Sequence, residues 1–261
     1  MLIDLPGRGT AGTAVQNLPL RLDALHLLRY VQTHTIVGTA KGNMPRNHVR
    51  AVNEGLVRPL VMDEVIGDRV YPLQSEDHVP SLRSLRAILE VGGLLDCTLR
   101  RPWELTPFGE RFLVREPMFQ AIALLGVWFH SINWLMLARY QGIGDRLPDG
   151  FEACALEELL RLGPGQPMPV PAFCSALALR TRLVWQGGYP EHHAQYLRST
   201  VEQLVVRPME RFGLVRVETS VIKDWTGPTL AVTEAGFLVL AGLAQMLGQL
   251  ASRRRGKPKR R

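Results

Sequence analysis

The phrase apolar–Thr–x–x–Gly, placed just before a helical run, constrains the fold of this chain more than any other feature. It stands in WELTPFGERFLV (Trp103–Val114) and again in LAVTEAGFLVLA (Leu230–Ala241), with a fainter echo in VGTAKGNMPRNHV (Val37–Val49). In the first two, Thr106 and Thr233 close an extended segment and cap the next helix, the hydroxyl accepting a backbone N–H left free in the first turn, while the third lies in a β-turn-rich insert before a helical run from Arg46. Pro107 suits the first helical position because its missing N–H costs nothing there. Gly109 and Gly236, lacking Cβ, allow the new helix to start close against the preceding strand.

The surroundings repeat as well. PSLRSLRAILEV carries Leu82, Leu85, Ile88 and Leu89 on one helical face and ends at Gly93–Leu94, while LRSTVEQLVVRPMERF, bent or interrupted at Pro208, ends at Gly213–Leu214. LLDCTL and WELT then flank the turn Arg100–Arg101–Pro102, and LVRVET and TLAVT flank SVIKDWTGP. The second hairpin is longer, with 20 residues from Gly213 to Thr233 against 13 from Gly93 to Thr106. The expected fold is mainly α with short β-hairpins.

Helix, Gly–Leu, strand, turn, strand, Thr cap, helix is an order that resembles the winged helix-turn-helix superfamily. The residues carrying the resemblance are Gly93, Leu94, Leu105, Thr106 and Gly109, then Gly213, Leu214, Val232, Thr233 and Gly236. It implies two tandem winged-helix-like modules joined by long apolar helices. It also implies nucleic-acid binding, with DNA as the expected partner, the helix before each wing docking in a groove and the wing on the backbone. Carried onto this chain, the contacts would come from Arg83 and Arg86, from Arg100 and Arg101 on the first wing, from Arg198, Arg207 and Arg211, and from Lys223 on the second wing. Trp103 and Trp225 beside the wings are read as packing residues. The Val37–Val49 stretch is similar to a phrase in uncharacterised plasmid- or transposon-borne bacterial proteins, from which Gly38 and Met44 depart.

Six regions follow: a loose arm (1–17), an N-terminal helical, degenerate winged-helix-like region (18–79), the first module with a long apolar helix (80–147), a helix with the Pro/Gly-rich linker Gly163–Pro171 (148–195), the second module (196–252) and a disordered basic tail (253–261). The arm contains GRGTAG, a formal G-x-G-x-x-G without the preceding strand or following helix that dinucleotide binding requires. Residues 58–79 read as irregular or briefly extended.

Charge belongs to the tail. Of 31 basic residues, seven (Arg253, Arg254, Arg255, Lys257, Lys259, Arg260 and Arg261) lie in the last nine positions, leaving 24 against 24 acidic residues elsewhere. Such a tail attracts phosphates without sequence preference. A neutral body keeps open the alternative of a protein-interaction module or subunit, or a homo-oligomer, in which the apolar helices 117–138 and 237–251 would leave an exposed hydrophobic patch. Cys97, Cys154 and Cys174 are odd in number and far apart, the pattern of reduced thiols in a cytoplasmic protein. No signal peptide is expected. Pro117–Ala138 runs 22 residues without a formal charge, but Gln120, His130, Ser131 and Asn133 interrupt it, so a buried central helix is expected and no membrane partner.

No nucleophile elbow, phosphate loop, zinc spacing or carboxylate pair stands out, so no enzyme, cofactor or metal is expected. His192–His193 reads as a surface turn, His130 as a buried histidine with a structural hydrogen bond, and Glu157–Glu158 as a solvated helix face. A deep pocket joining His130 to a carboxylate would favour an enzyme.

Overall fold

The computed structural model describes residues 13–61, 63–66, 68–72, 75–138, 143, 145–222 and 225–255. Helix α1 (Pro19–Thr33) begins with a proline at its first position and buries Leu20, Ala24, Leu25, Leu27, Leu28 and Val31. An extended pair follows, with Val37 bridging Pro102 and the Ile36 carbonyl accepting from the Trp103 N–H at 2.8 Å. Helix α2 (Arg46–Glu54) comes next, then a hairpin of β1 (Asp63–Ile66) and β2 (Arg69–Pro72), in the stretch expected to be irregular or briefly extended. Helix α3 (Pro80–Val91) leads into the short hairpin β3 (Leu95–Asp96) and β4 (Glu104–Leu105), and α4 (Pro107–Leu113) closes the unit.

The same order returns further on. Helix α5 (Pro117–His130) and α6 (Trp134–Ala138) connect to α7 (Phe151–Leu162), β5 (Met168–Pro169) and α8 (Val170–Arg180). Helix α9 (His193–Val201) runs through a π-helical stretch, Glu202–Val206, into α10 (Arg207–Arg211). The long hairpin β6 (Val215–Ile222) and β7 (Trp225–Val232) follows, then α11 (Glu234–Arg255). The π stretch answers the expectation of a bend at Pro208. A proline clashes with the carbonyl four residues back in a regular helix, and the wider turn, in which the Arg207 N–H reaches the Glu202 carbonyl, lets the chain pass.

The repeated phrase is built twice with the same atoms. Leu94 N–H donates to Leu89 O at 2.8 Å and Gly93 N–H to Glu90 O at 3.0 Å, while Leu214 donates to Met209 O at 2.9 Å and Gly213 to Glu210 O at 3.0 Å. With Gly93 at φ 65° and Gly213 at φ 78°, both helices end in a Schellman cap. Thr106 Oγ1 then donates to Gly93 O at 2.6 Å and accepts from Gly109 N at 2.9 Å. Thr233 Oγ1 donates to Gly213 O at 2.9 Å and accepts from Gly236 N at 2.9 Å. A Cβ on Gly109 would fall 2.0 Å from Leu94 O, and one on Gly236 would fall 2.1 Å from Leu214 O. Each threonine thus ties one helix end to the next helix start.

Four stretches bear on the expectations, and the last two correct them. Thr39, in the fainter echo, closes a turn through Thr39 N–H to Asn43 O (2.8 Å) and Gly42 N–H to Thr39 O (2.8 Å), and α2 starts after Pro45, on the helical run that begins at Arg46. In the N-terminal region, α1 and the Ile36–Val37 segment pack on the first hairpin and its neighbouring helices. Gly163–Pro171 is no linker: Gly165 N–H donates to Val232 O at 2.8 Å, and Met168–Pro169 pairs with Leu230–Thr229 as the third strand of the sheet that holds β6 and β7. The uncharged run 117–138 is two helices, parted at Ser131–Asn133, where Asn133 Oδ1 accepts from Leu135 N at 3.1 Å. None of the helices among the described residues is long and apolar enough to cross a membrane.

Both modules share one continuous apolar core. Its seam is aromatic: Trp128 lies 5.5 Å from Trp134 and 5.0 Å from Phe212, and Trp134 lies 6.0 Å from Phe151. Helix α5 crosses α11 closely, since a Cβ on Gly242 would lie 2.6 Å from Ile122 Cδ1. At the other side, Leu20 N–H donates to Phe212 O at 3.3 Å and Arg58 Nη1 to Glu210 O at 3.1 Å, so the first module's helix docks on the helix end of the second.

Candidate nucleic-acid interface and an arginine cleft

The residues proposed from the sequence fall into three groups. Arg86 leaves the list of surface contacts. Its Nε donates to Glu76 Oε1 at 2.5 Å and its Nη1 to Glu90 Oε2 at 3.0 Å, its guanidinium lies 5.6 Å from the centre of the Trp103 ring, and its side chain is 17% exposed. Burial works to lower this guanidinium's pKa, but Glu76, by charge and hydrogen bond, and Cys97 and Glu90 hold it above its ordinary value. Glu76 is 1% exposed and its other oxygen accepts from Met44 N–H at 2.8 Å. Arg86 is therefore the counter-charge of a buried carboxylate, and Trp103 packs beneath it as expected.

Arg100 and Arg101 are exposed on the first hairpin turn, Arg100 at φ 65°, and neither is held in an ion pair among the described residues. Arg198 is exposed on α9, its Nε donating to Ala194 O at 3.2 Å. Lys223, Lys257, Lys259, Arg260 and Arg261 lie outside the described residues. Helix α11 continues through Arg253, Arg254 and Arg255, three residues into the basic run expected to be unstructured.

The third group converges. Arg83 of α3 and Arg207 and Arg211 of α10 line one cleft of about 260 Å³ between the two modules, together with Asp77, Gln203 and Trp128. Arg83 Nη2 donates to Met136 O at 3.0 Å and its Nε lies 3.8 Å from Asp77. Arg207 is paired with Glu202 at 2.7 Å and Glu210 at 3.4 Å. Arg211 makes no hydrogen bond or ion pair among the described residues, and burial with the like charge of Arg207 lowers its pKa despite Glu210. Gln203, Arg207 and Arg211 recur every four residues, so the π turn and α10 present them on one face. Asp77 and Trp128 carried no signal in the sequence because no periodicity links them to those arginines, whereas the four-residue spacing of Gln203 to Arg207 and Arg211 was open to reading.

The remaining polar residues have other settings. His130 is exposed, where burial was expected, and borders a second cavity of about 200 Å³ with Phe129, Glu152, Leu156, Glu157 and Leu247. Its lining is chiefly apolar, and Glu157 is engaged by Arg180, which also pairs with Glu158 at 2.7 Å. His193 bonds Gly187 O at 3.2 Å and His192 meets the Tyr196 ring, at the surface turn expected there. No group of three His, Cys, Asp or Glu among the described residues is arranged to hold a metal. The cysteines are free, and burial pushes the Cys97 and Cys174 thiols up to about 12, which keeps them protonated and unreactive. The chain matches no known protein family, no curated protein and no solved structure.

Proposed function

We propose that this chain is a DNA-binding accessory or regulatory protein, a binding rather than a catalytic molecule, built from two winged-helix-like modules and docking through the second. The observation that carries the reading is an asymmetry of exposure. Helix α9 presents Arg198 to solvent while Arg207 and Arg211 of α10 turn to the cleft, and the hairpin beside them has eight-residue strands paired out to Ile222 and Trp225. Strands of that length extend roughly 26 Å, enough for a hairpin tip to reach a duplex backbone while the helix lies near a groove. Arg100 and Arg101 and the basic C-terminus add phosphate contacts that carry no sequence information.

The apolar helices, by contrast, face each other: Gly126 of α5 lies against Leu243 and Met246 of α11. This disfavours the protein-interaction alternative in the form that relied on those helices. Exposed Leu179, Val184 and Tyr189, at 82%, 63% and 68%, keep a protein partner as the second reading.

Fluorescence anisotropy on a random duplex over a salt series tests the proposal. The control chain has its seven C-terminal basic residues changed to Gln, because truncation after Ser252 would cut into α11. We expect the neutralised chain to keep a salt slope worth several phosphate contacts, each contributing about 0.9. Binding that vanishes with the basic C-terminus would overturn the proposal and point to a protein partner.

A further inference from the structure

We propose that the cleft between the modules is a binding site for a compact phosphate dianion, either free or as the phosphate group of a small molecule, separate from the duplex-docking surface. Three guanidinium groups from helices of different modules face one space whose single lining carboxylate is Asp77. Guanidinium is the side chain best matched to phosphate, since its planar fork donates two parallel bonds to two oxygens. Arg83 and Arg207 are already oriented by Met136 O, Asp77, Glu202 and Glu210, whereas Arg211 has every donor unassigned among the described residues.

Two further observations point to a ligand. Trp128 lines the same cleft, is 2% exposed, and its indole Nε1–H is buried without an acceptor. Buried donors are nearly always satisfied; the Trp103 indole shares this condition away from the cleft, and the Trp128 indole is the one that lies in its wall, where a bound acceptor would be within its surroundings. The wall bearing Gln203, Arg207 and Arg211 is also the segment in which the helix widens into its π turn, a distortion found often at functional sites. Pro208 explains why the helix deforms, but not why arginines follow at that spacing.

Size and position define the occupant. At about 260 Å³ the cleft falls just below the range of pockets that hold drug-sized ligands, about 300–1,000 Å³. It is too narrow for a duplex and suited to a phosphate with little attached. Because its walls come from both modules, an occupant would brace one against the other and could thereby set the geometry with which the second module meets DNA.

Isothermal titration calorimetry and thermal unfolding of the full chain, with inorganic phosphate at ionic strength fixed by chloride, test this directly and do not depend on DNA binding. We expect saturable phosphate binding and a rising Tm, with affinity at least tenfold weaker in Arg211→Gln and unchanged in the exposed hairpin pair Arg100→Gln/Arg101→Gln. Arg211→Gln breaks no contact described above, so it should fold, and its Tm without phosphate checks that it does. Phosphate acting no differently from chloride, or binding Arg211→Gln as tightly as the parent chain, would overturn the proposal. So would an equal loss in the Arg100/Arg101 variant, which would mark the attraction as diffuse. Adding duplex separates the sources: phosphate affinity unaffected by duplex supports a free small dianion, and strict competition would assign the cleft to a backbone phosphate of DNA and overturn its separateness.

Discussion

The two hairpin units share their backbone wiring and differ in what hangs on it. In the first, α3 buries Leu82, Ser84, Leu85, Ile88 and Leu89, and its two arginines hold Glu76, Asp77 and Met136 O in place. The hairpin after it pairs only two residues on each strand. In the second, the corresponding helix leaves Arg198, Arg207 and Arg211 accessible, and the hairpin pairs eight on each strand. A repeated motif therefore fixes where helix ends and strands meet, and side-chain burial decides which copy can touch a partner. The helix of the first copy is an anchor, and that of the second leaves its arginines at the surface.

The largest test of that contrast is electrostatic. Glu76→Ala should destabilise the protein by roughly 3 kcal/mol in urea denaturation, because it leaves the largely buried Arg86 with only the exposed Glu90 as counter-charge and Met44 N–H without an acceptor. Arg207→Gln, which breaks exposed pairs with Glu202 and Glu210, should change stability by no more than about 1 kcal/mol. Equal losses would erase the distinction between anchor and surface.

Gly109→Ala and Gly236→Ala probe the shared wiring. Each methyl group would press on a backbone carbonyl, so each should cost about 3 kcal/mol or more, and the two values should be close. A tolerated change at one site would show the two junctions to be equivalent only in outline.

Asp23 sharpens the anchor side. Burial pushes its carboxyl up to about 6 against the pull of the Val57 N–H and Arg58. A raised folded-state pKa means the native protein holds this proton more tightly than the unfolded chain does. This group's contribution to stability is thus present at pH below 4 and is lost as pH rises to about 6, by up to about 3 kcal/mol. Asp23→Asn should flatten that part of the stability–pH curve and stabilise the protein at pH 8, with the amide oxygen still able to accept from Val57.

Smaller effects are expected at the caps and the surface. Thr106→Ala and Thr233→Ala should each cost about 1–2 kcal/mol, and nearly the same amount, since the two hydroxyls make matching bonds. Arg198→Gln should leave unfolding within about 0.5 kcal/mol of the parent. In anisotropy it should lower the DNA salt slope by about 0.9 if Arg198 contacts a phosphate, while no such change is expected from Glu76→Gln.

Much of the fold was legible because it rests on local chemistry. Gly93–Leu94 and Thr106–Gly109 could be recognised from a few residues: a left-handed helix end, a hydroxyl cap and a missing Cβ are needs of adjacent backbone atoms. What lay beyond such short windows was misread. Gly163–Pro171 looked like a linker because proline and glycine mark irregular backbone, yet Met168 and Pro169 pair with Leu230 and Thr229, some sixty positions away. Arg83 and Arg86 looked like a solvated or DNA-facing pair at helical spacing. Their partners Asp77 and Glu76 sit on a 3₁₀ turn (Glu76–His78) that no periodicity connects to α3.

By itself the sequence determined the two helix–hairpin–helix junctions, the mainly helical composition and the concentration of positive charge at the C-terminus, since each depends on neighbouring residues or on a count. Only the tertiary structure decided which arginines are buried counter-charges, which are exposed, and that Arg83, Arg207 and Arg211 meet in one cleft. Pairing and burial are set by distance through space, and the packing of α5 against α11 and of Pro19 against Gly213 brings into contact residues that the chain separates by more than a hundred positions.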